Sequence, residues 1–311
     1  MLQQVVSWLR REAEHPGSQG RLARWVGRNW ARLNYATRVE PTWLELNRHD
    51  VPIADLPAAF AGWRIVQMSD FHCGHQVTST YLREAVDLAQ AQNGDVVVLT
   101  GDFIHKGFKH IDRVAKVLGG LRAPSGVFAV LGNHDFSVRN ALGFRRYRLL
   151  YRAVAEALAA QGIHVMHNET KVLRRGSQHL YLTGVDDLWS RRCDLERAFT
   201  GLSPAVPRVV LAHNPCTIEH LGSQRCDLML SGHTHGGQVN LPLVGRLALG
   251  PKGRRFAAGM YRIRKSYLYV NKGVGFGFRM RFGVRPEVAV LTLQPASSRS
   301  GKVLTGQEPG P

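Results

Sequence analysis

The sequence predicts an α/β domain built on a largely parallel sheet. Short apolar runs recur from residue 63 onward: RIVQMSD, DVVVLTGD, VFAVLGNHD, RVVLAHN and DLMLSGHTH. Each is almost continuously apolar, as expected of a strand buried on both faces. Between the runs lie segments that read as helices, such as residues 81–92 and 147–160, and strands alternating with helices favour parallel pairing. Each run also ends abruptly in polar residues, and sites in α/β sheets form at the carboxyl ends of strands.

Length and composition set the bounds. The chain has 311 residues with an apolar fraction of 44%, enough for one large domain or two modest ones. Its four cysteines, Cys73, Cys193, Cys216 and Cys226, form no CxxC pair, which fits a reducing compartment. No stretch resembles a signal-peptide core or approaches the roughly 18 apolar residues of a spanning helix. The protein is therefore expected to be neither exported nor integral to a membrane. The net charge of +18 asks for an anionic partner.

Residues 1–36 read as a basic amphipathic appendage. LQQVVSWLRR has helical apolar spacing, HPGSQG breaks it, and RLARWVGRNWARLNY follows. There Arg21, Arg24, Arg28 and Arg32 share one helical face, while Leu22, Trp25, Val26 and Leu33 lie elsewhere with Trp30 beside them. Such a helix suits a membrane interface, or packs on the domain with its arginines in water. Residues 37–295 form the main domain in this reading, and residues 296–311, rich in Ser, Gly and Pro, form a disordered tail.

The strand ends carry the chemistry. The first run delivers Asp70 and His72, the second Asp102, the third Asn133 and His134, the fourth His213 and the fifth His233 and His235. In a β-like segment residues i and i+2 face the same side, which accounts for the spacing in Asp70-Phe71-His72 and His233-Thr234-His235. The glycines of GHTHGGQ let the chain bend so that both imidazoles reach one place. A single His or GD at a strand end is usually ordinary; five such ends in succession with matching chemistry are not. His75, His105 and His110 are expected at the rim, and Asp186 and Asp187 in a loop.

Seven donors, Asp70, His72, Asp102, Asn133, His213, His233 and His235, exceed the four that one zinc takes. With Asp102 shared, two ions receive four each. Two-metal sites clamp the attacking and leaving oxygens of an in-line displacement. The mixed nitrogen and oxygen set suits manganese, iron or zinc, and affinity order alone cannot choose among them; manganese is the favoured expectation.

SDFH, GD, GNHD, AHN and GHTHGGQ together resemble the blocks of the calcineurin-like metallophosphoesterase family, and the last box resembles its bacterial phosphodiesterase branch. The likeness runs from about residue 41 to 293. It implies a four-layer αββα sandwich. It also implies one ion on Asp70, His72, Asp102 and His235, a second on Asp102, Asn133, His213 and His233, and His134 acting on the phosphate or leaving oxygen. Phe71 and Cys73 stand where leucine is usual, and neither is a ligand position. Exported members of the branch carry a signal, and with none read in this sequence the expectation is a protein that is not exported.

The expected activity is therefore hydrolysis of a phosphodiester, pyrophosphate or phosphomonoester. Between Asp227 and Glu287 eleven Lys and Arg occur without one acidic residue, which points to an anionic surface. The segment after Asp135 mixes Arg139, Arg145, Arg146, Arg148 and Arg152 with Phe144, Tyr147, Leu149, Leu150 and Tyr151, and is expected to overhang the site as a lid or membrane-facing element. These features favour a phosphorylated lipid or nucleotide-lipid, with the protein cytoplasmic and peripheral at the inner membrane face. UDP-2,3-diacylglucosamine pyrophosphohydrolases are one specific candidate within the family. A nucleic-acid-binding phosphodiesterase and a non-catalytic scaffold of the same fold are the rivals.

Overall fold

The computed structural model describes residues 18–138, 142, 144, 146–241, 245, 246 and 249–296. The expected N-terminal helix in residues 1–17, the tail beyond 296, Arg139 and Arg145 lie outside the described residues, as do the side chains of Arg21, Leu22 and Lys252.

Two six-stranded sheets form the centre. The first has the order β1 (Glu45–Ile53), β12 (Glu287–Pro295), β2 (Arg64–Met68), β3 (Val96–Thr100), β4 (Val127–Val130) and β5 (His164–Val165). All its pairs are parallel except β12 with β2. The second has the order β10 (Gly259–Ile263), β11 (Ser266–Val270), β9 (Leu228–Ser231), β8 (Arg208–Leu211), β7 (Gln178–Gly184) and β6 (Glu169–Arg175). Its two outer pairs are antiparallel and its inner pairs parallel. The five signature runs therefore do not share one sheet: β2, β3 and β4 lie in the first, β8 and β9 in the second. A strand apolar on both faces fits either sheet, so its residues alone cannot assign it.

Alternation along each strand builds four layers. Val66 and Met68 of β2, with Val97 and Leu99 of β3, face outward onto α2 (Ser79–Gln90), α3 (Ile111–Leu118) and α4 (Leu150–Ala159). Ile65, Val96, Val98 and Val130 face inward and meet Leu182, Val209, Leu211, Leu228 and Leu230 of the second sheet. Val210, Met229 and Leu268 face out on the far side, under α5 (Leu195–Phe199) and Phe256, which follows α6 (Pro251–Arg255). This is the expected αββα sandwich. Amphipathic spacing forms the helices: Tyr81, Leu82, Ala85, Val86 and Ala89 bury one face of α2, and the Thr78 hydroxyl caps its start by accepting from Tyr81 N.

The N-terminal helix α1 (Ser18–Asn34) stands apart from these layers. From residue 24 to 33 none of its residues is buried. The chain then turns through 35–42 and docks on the domain.

The basic run does not form one free face. Lys272 pairs with Glu45 and with Glu287 (3.2 Å). Arg285 lies near Glu45 and over the Trp43 ring, and Arg255 pairs with Glu219. Arg281 is fully buried, donating to the carbonyls of Lys272, Gly273, Gly275 and Val284. The counter-charges come from distant segments, which a count along one interval does not register. Arg254, Arg262, Arg264, Lys265 and Arg279 stay exposed.

Candidate metal centre

The loops after β2, β3, β4, β8 and β9 meet at one edge of the sandwich, where the two sheets adjoin. Each of the seven expected donors and His134 arrives there from the end of its strand.

The backbone that delivers them is not β-like. Asp70, His72, Asp102, His233 and His235 all have positive φ, between 42° and 73°. Non-glycine residues avoid this region unless the surroundings hold them there, and such strain gathers at functional sites. Here the hold is partly visible: Asp70 N donates to Gly101 O (2.9 Å), and His72 N to Asp102 O (2.9 Å). The one-residue spacing thus works through left-handed turns, while the intervening Phe71 points into the core and stacks on Phe103 (5.4 Å). Glycine is required nearby for approach. A Cβ on Gly132 would lie 2.5 Å from Asp102 N, and Gly236 itself has φ +61° with Val284 2.7 Å from where a Cβ would stand.

The donor atoms fall into two adjoining groups. In one, His72 Nε2 and His235 Nε2 are 2.8 Å apart, with Asp70 Oδ1 at 3.3 Å from His235. In the other, His233 Nδ1 lies 2.9 Å from Asn133 Oδ1 and 3.3 Å from His213 Nε2. Asp102 stands between them: its Oδ2 is 3.5 Å from His72 Nε2 and 3.3 Å from His213 Nε2. Partners outside each group aim the donors. His213 Nδ1 donates to Thr100 O (2.6 Å), which turns its Nε2 toward Asp102. Asn133 Nδ2 donates to Val138 O (2.7 Å), which turns its Oδ1 inward. Asp70 accepts from His233 N, and Asp102 Oδ1 from His134 N (2.9 Å).

Burial sets the charge states. It pushes Asp70 up to about 6 and His233 down to about 3, and holds His72 and His235 well below the ordinary histidine value. Burial also acts on Asp102 and His213, but their mutual attraction outweighs it and drives Asp102 well down and His213 well up. The result is a dry cluster of imidazole and carboxyl lone pairs converging within a few ångströms. Buried polar atoms so arranged fit divalent cations that accept nitrogen and oxygen ligands, and no thiol intrudes.

His134 is half-buried and borders the same cavity, of about 250 Å³, with Trp189, Gln238 and Phe278. Its Nδ1 contacts His105 O at 2.8 Å. A carbonyl only accepts, so Nδ1 carries a proton.

Other residues take parts in the cluster that the sequence reading did not assign to them. His105, expected at the rim, sits inside the cluster, with its ring 5.8 Å from that of His72 and 5.7 Å from that of His134. Asp135 is fully buried and accepts from the backbone N of Gly132, Phe103 and Ile104, tying two site loops together. Burial pushes it up to about 8. Trp189 sets its ring edge-on to His233 at 4.5 Å. Asp186 accepts from His167 Nδ1 (2.8 Å), and Asp187 accepts from Trp189 N and Ser190 N, holding the turn that carries Trp189. Asp135 directly follows the GNH motif, a position from which its role was open to inference; Trp189 offered none.

Residues 64–237 match the sequence pattern of the calcineurin-like phosphoesterase family. The chain belongs to that family. It is 33% identical to phosphodiesterase YaeI of Escherichia coli (strain K12) over 84% of this chain and 92% of that protein. It is 32% identical to the uncharacterized metallophosphoesterase YkuE of Bacillus subtilis (strain 168), over 84% and 89%. It is 28% identical to UDP-2,3-diacylglucosamine pyrophosphatase LpxG of Chlamydia trachomatis, over 83% and 91%. This metallophosphoesterase is accordingly a hydrolase of a family that uses divalent metals.

Proposed function

We propose that this metallophosphoesterase is a two-metal hydrolase of the bacterial phosphodiesterase branch, acting on a phosphorylated lipid or nucleotide-lipid at a membrane surface. The observation that carries the two-metal reading is the position of Asp102 Oδ2 between the two donor groups. Asp70, His72, Asp102 and His235 would hold one divalent ion, and Asp102, Asn133, His213 and His233 the other, with manganese favoured. Such a pair supplies Lewis acidity toward a phosphoryl oxygen and lowers the pKa of water.

The chain's own residues do the rest. With Nδ1–H held on His105 O, the ring's orientation is set before substrate arrives, and His134 in its doubly protonated form would donate Nε2–H to the phosphoryl or leaving-group oxygen. Asp135 and Gly132 hold the loop that presents Asn133 and His134. Trp189 backs His233 and narrows the cavity. None of these roles requires a covalent enzyme intermediate.

The lipid reading is supported by the similarity to a protein named for a diacylglucosamine nucleotide, and by Phe278, which borders the cavity yet is half exposed. We further propose a cytoplasmic position, peripheral to the inner membrane. Among the described residues no helix is long and apolar enough to cross a membrane.

Metal analysis of protein purified without chelator, then a panel of phosphoesters, tests the proposal. Wild type is expected to hold two ions per chain and Asp102→Ala fewer, with hydrolysis lost. Full occupancy in Asp102→Ala would remove the shared-ligand assignment. Preference for oligonucleotides over lipid-linked diesters would favour the nucleic-acid alternative.

A further inference from the structure

The N-terminal arm is exposed, apolar and basic at once, and it is bolted to the rim of the metal cavity. Trp25, Val26, Trp30 and Leu33 of α1 are 60%, 47%, 65% and 48% exposed, and no part of the described domain covers them. Arg24, Arg28 and Arg32 are exposed on the same helix. After α1, Ala36 is buried and its carbonyl accepts from Arg281 N (2.8 Å), while Thr37 O accepts from Arg279 Nε (3.2 Å). Glu40 is 1% exposed, and its carboxylate accepts from Gly283 N (3.0 Å) and Val284 N (2.6 Å). A buried carboxylate is costly unless hydrogen-bonded in this way, so Glu40 acts as a fixed anchor. The loop it grips also carries Phe278, whose carbonyl accepts from Gln238, three residues beyond His235. Residues 35–43 therefore pack on the loop whose Gly277 and Phe278 line the cavity, and Val39 and Trp43 of this segment are about half exposed.

We infer that α1, residues 35–43 and Phe278 form one docking surface for an anionic lipid bilayer, which seats the mouth of the metal cavity at the headgroup layer. Three candidate occupants differ in chemistry. A second copy of a chain carrying +18 is repelled. A nucleic acid would satisfy the arginines but leave Val26, Leu33 and Val39 in water. An anionic bilayer satisfies both sets: arginines meet headgroups, and indoles and aliphatic side chains enter the interface. Each arginine near such a surface contributes about fivefold in affinity, and the apolar part resists salt. The inference rests on the proposed phosphoesterase function only for what the seated cavity does, not for the docking.

The test uses the full chain loaded with manganese. Binding to phosphatidylcholine vesicles, with and without phosphatidylglycerol, is measured by flotation, alongside hydrolysis of soluble bis(p-nitrophenyl) phosphate. Anionic vesicles are expected to bind and neutral ones to bind far more weakly. Trp25→Ala with Trp30→Ala should weaken vesicle affinity by about tenfold or more. It should leave soluble-diester hydrolysis unchanged, because neither side chain reaches the cavity. Arg24→Gln with Arg28→Gln and Arg32→Gln should weaken binding and flatten its salt dependence. Unaltered vesicle binding in the tryptophan variant overturns the inference, as does equal binding to neutral and anionic vesicles. Tighter binding of a duplex oligonucleotide at the same ionic strength, lost through the same substitutions, also overturns it. A wild type that binds vesicles but hydrolyses no phosphoester leaves the docking surface standing and refutes the catalytic proposal instead.

Discussion

Gly132→Ala is a single-methyl perturbation aimed at the centre of the site. The added Cβ would press on Asp102 Oδ1, and lie 2.5 Å from Asp102 N and 2.8 Å from Asp102 Cγ. Ordinary contacts begin near 3.4 Å, so the Asp102 loop or the Gly132 loop must yield by close to 1 Å. Neither yields freely: Gly132 N donates to Asp135 Oδ2 (2.9 Å), and Asp102 Oδ1 accepts from His134 N (2.9 Å). Overpacking of this kind costs about 1–3 kcal/mol, which lowers the melting temperature by about 5 °C in a domain of this size. Activity should suffer more. A displacement of about 1 Å at a positioned group costs roughly 10²-fold in rate, and Asp102 serves both donor groups. The assay is kcat for a soluble diester, with metal content and thermal melting measured on the same preparation. A variant that keeps wild-type kcat and full metal content would refute the claim that Asp102 is held in place by the glycine contact.

The other expectations address single groups. His134→Ala should retain metal and fold while kcat falls by about 10²–10⁴-fold, as for a positioned proton donor; loss of metal with activity would make it a ligand or a ligand's support. Asp187 is pushed up to about 7 by burial, so its proton stabilises the fold at low pH and is lost as pH rises through 7. In chelator-treated protein, the stability of Asp187→Asn relative to wild type should therefore improve between pH 5 and 8, by at most about 3 kcal/mol; a difference independent of pH would contradict the assignment. Lys272→Met should destabilise by about 3 kcal/mol in urea titration, because it removes the counter-charge of the buried Glu287, and adding Glu287→Gln should recover part of that.

The sequence by itself determined the chemistry of the site and the alternation that builds the layers. Donor residues must occur at strand ends whatever the tertiary arrangement, and a buried strand must be apolar, so Asp70, His72, Asp102, Asn133, His134, His213, His233 and His235 were legible as one set. Only the tertiary structure decided which sheet each strand joined, because inter-strand hydrogen bonds are made by backbone that every residue shares. It also decided that the turns carrying Asp70, His72, Asp102, His233 and His235 are left-handed, a conformation imposed on Asp and His by neighbouring loops and not by their own preference. His105, Asp135 and Trp189 joined the site through contacts across 30 or more residues, as with Asp135 and Phe103 or Trp189 and His233, which no local pattern records. The same distance effect dissolved much of the basic run, since Lys272, Arg285 and Arg255 find their carboxylates in segments far away along the chain. The arm shows both halves together: its Trp and Arg residues were plain in the sequence, but its attachment to the cavity rim exists only because Glu40 meets the amides of Gly283 and Val284, more than 240 residues on.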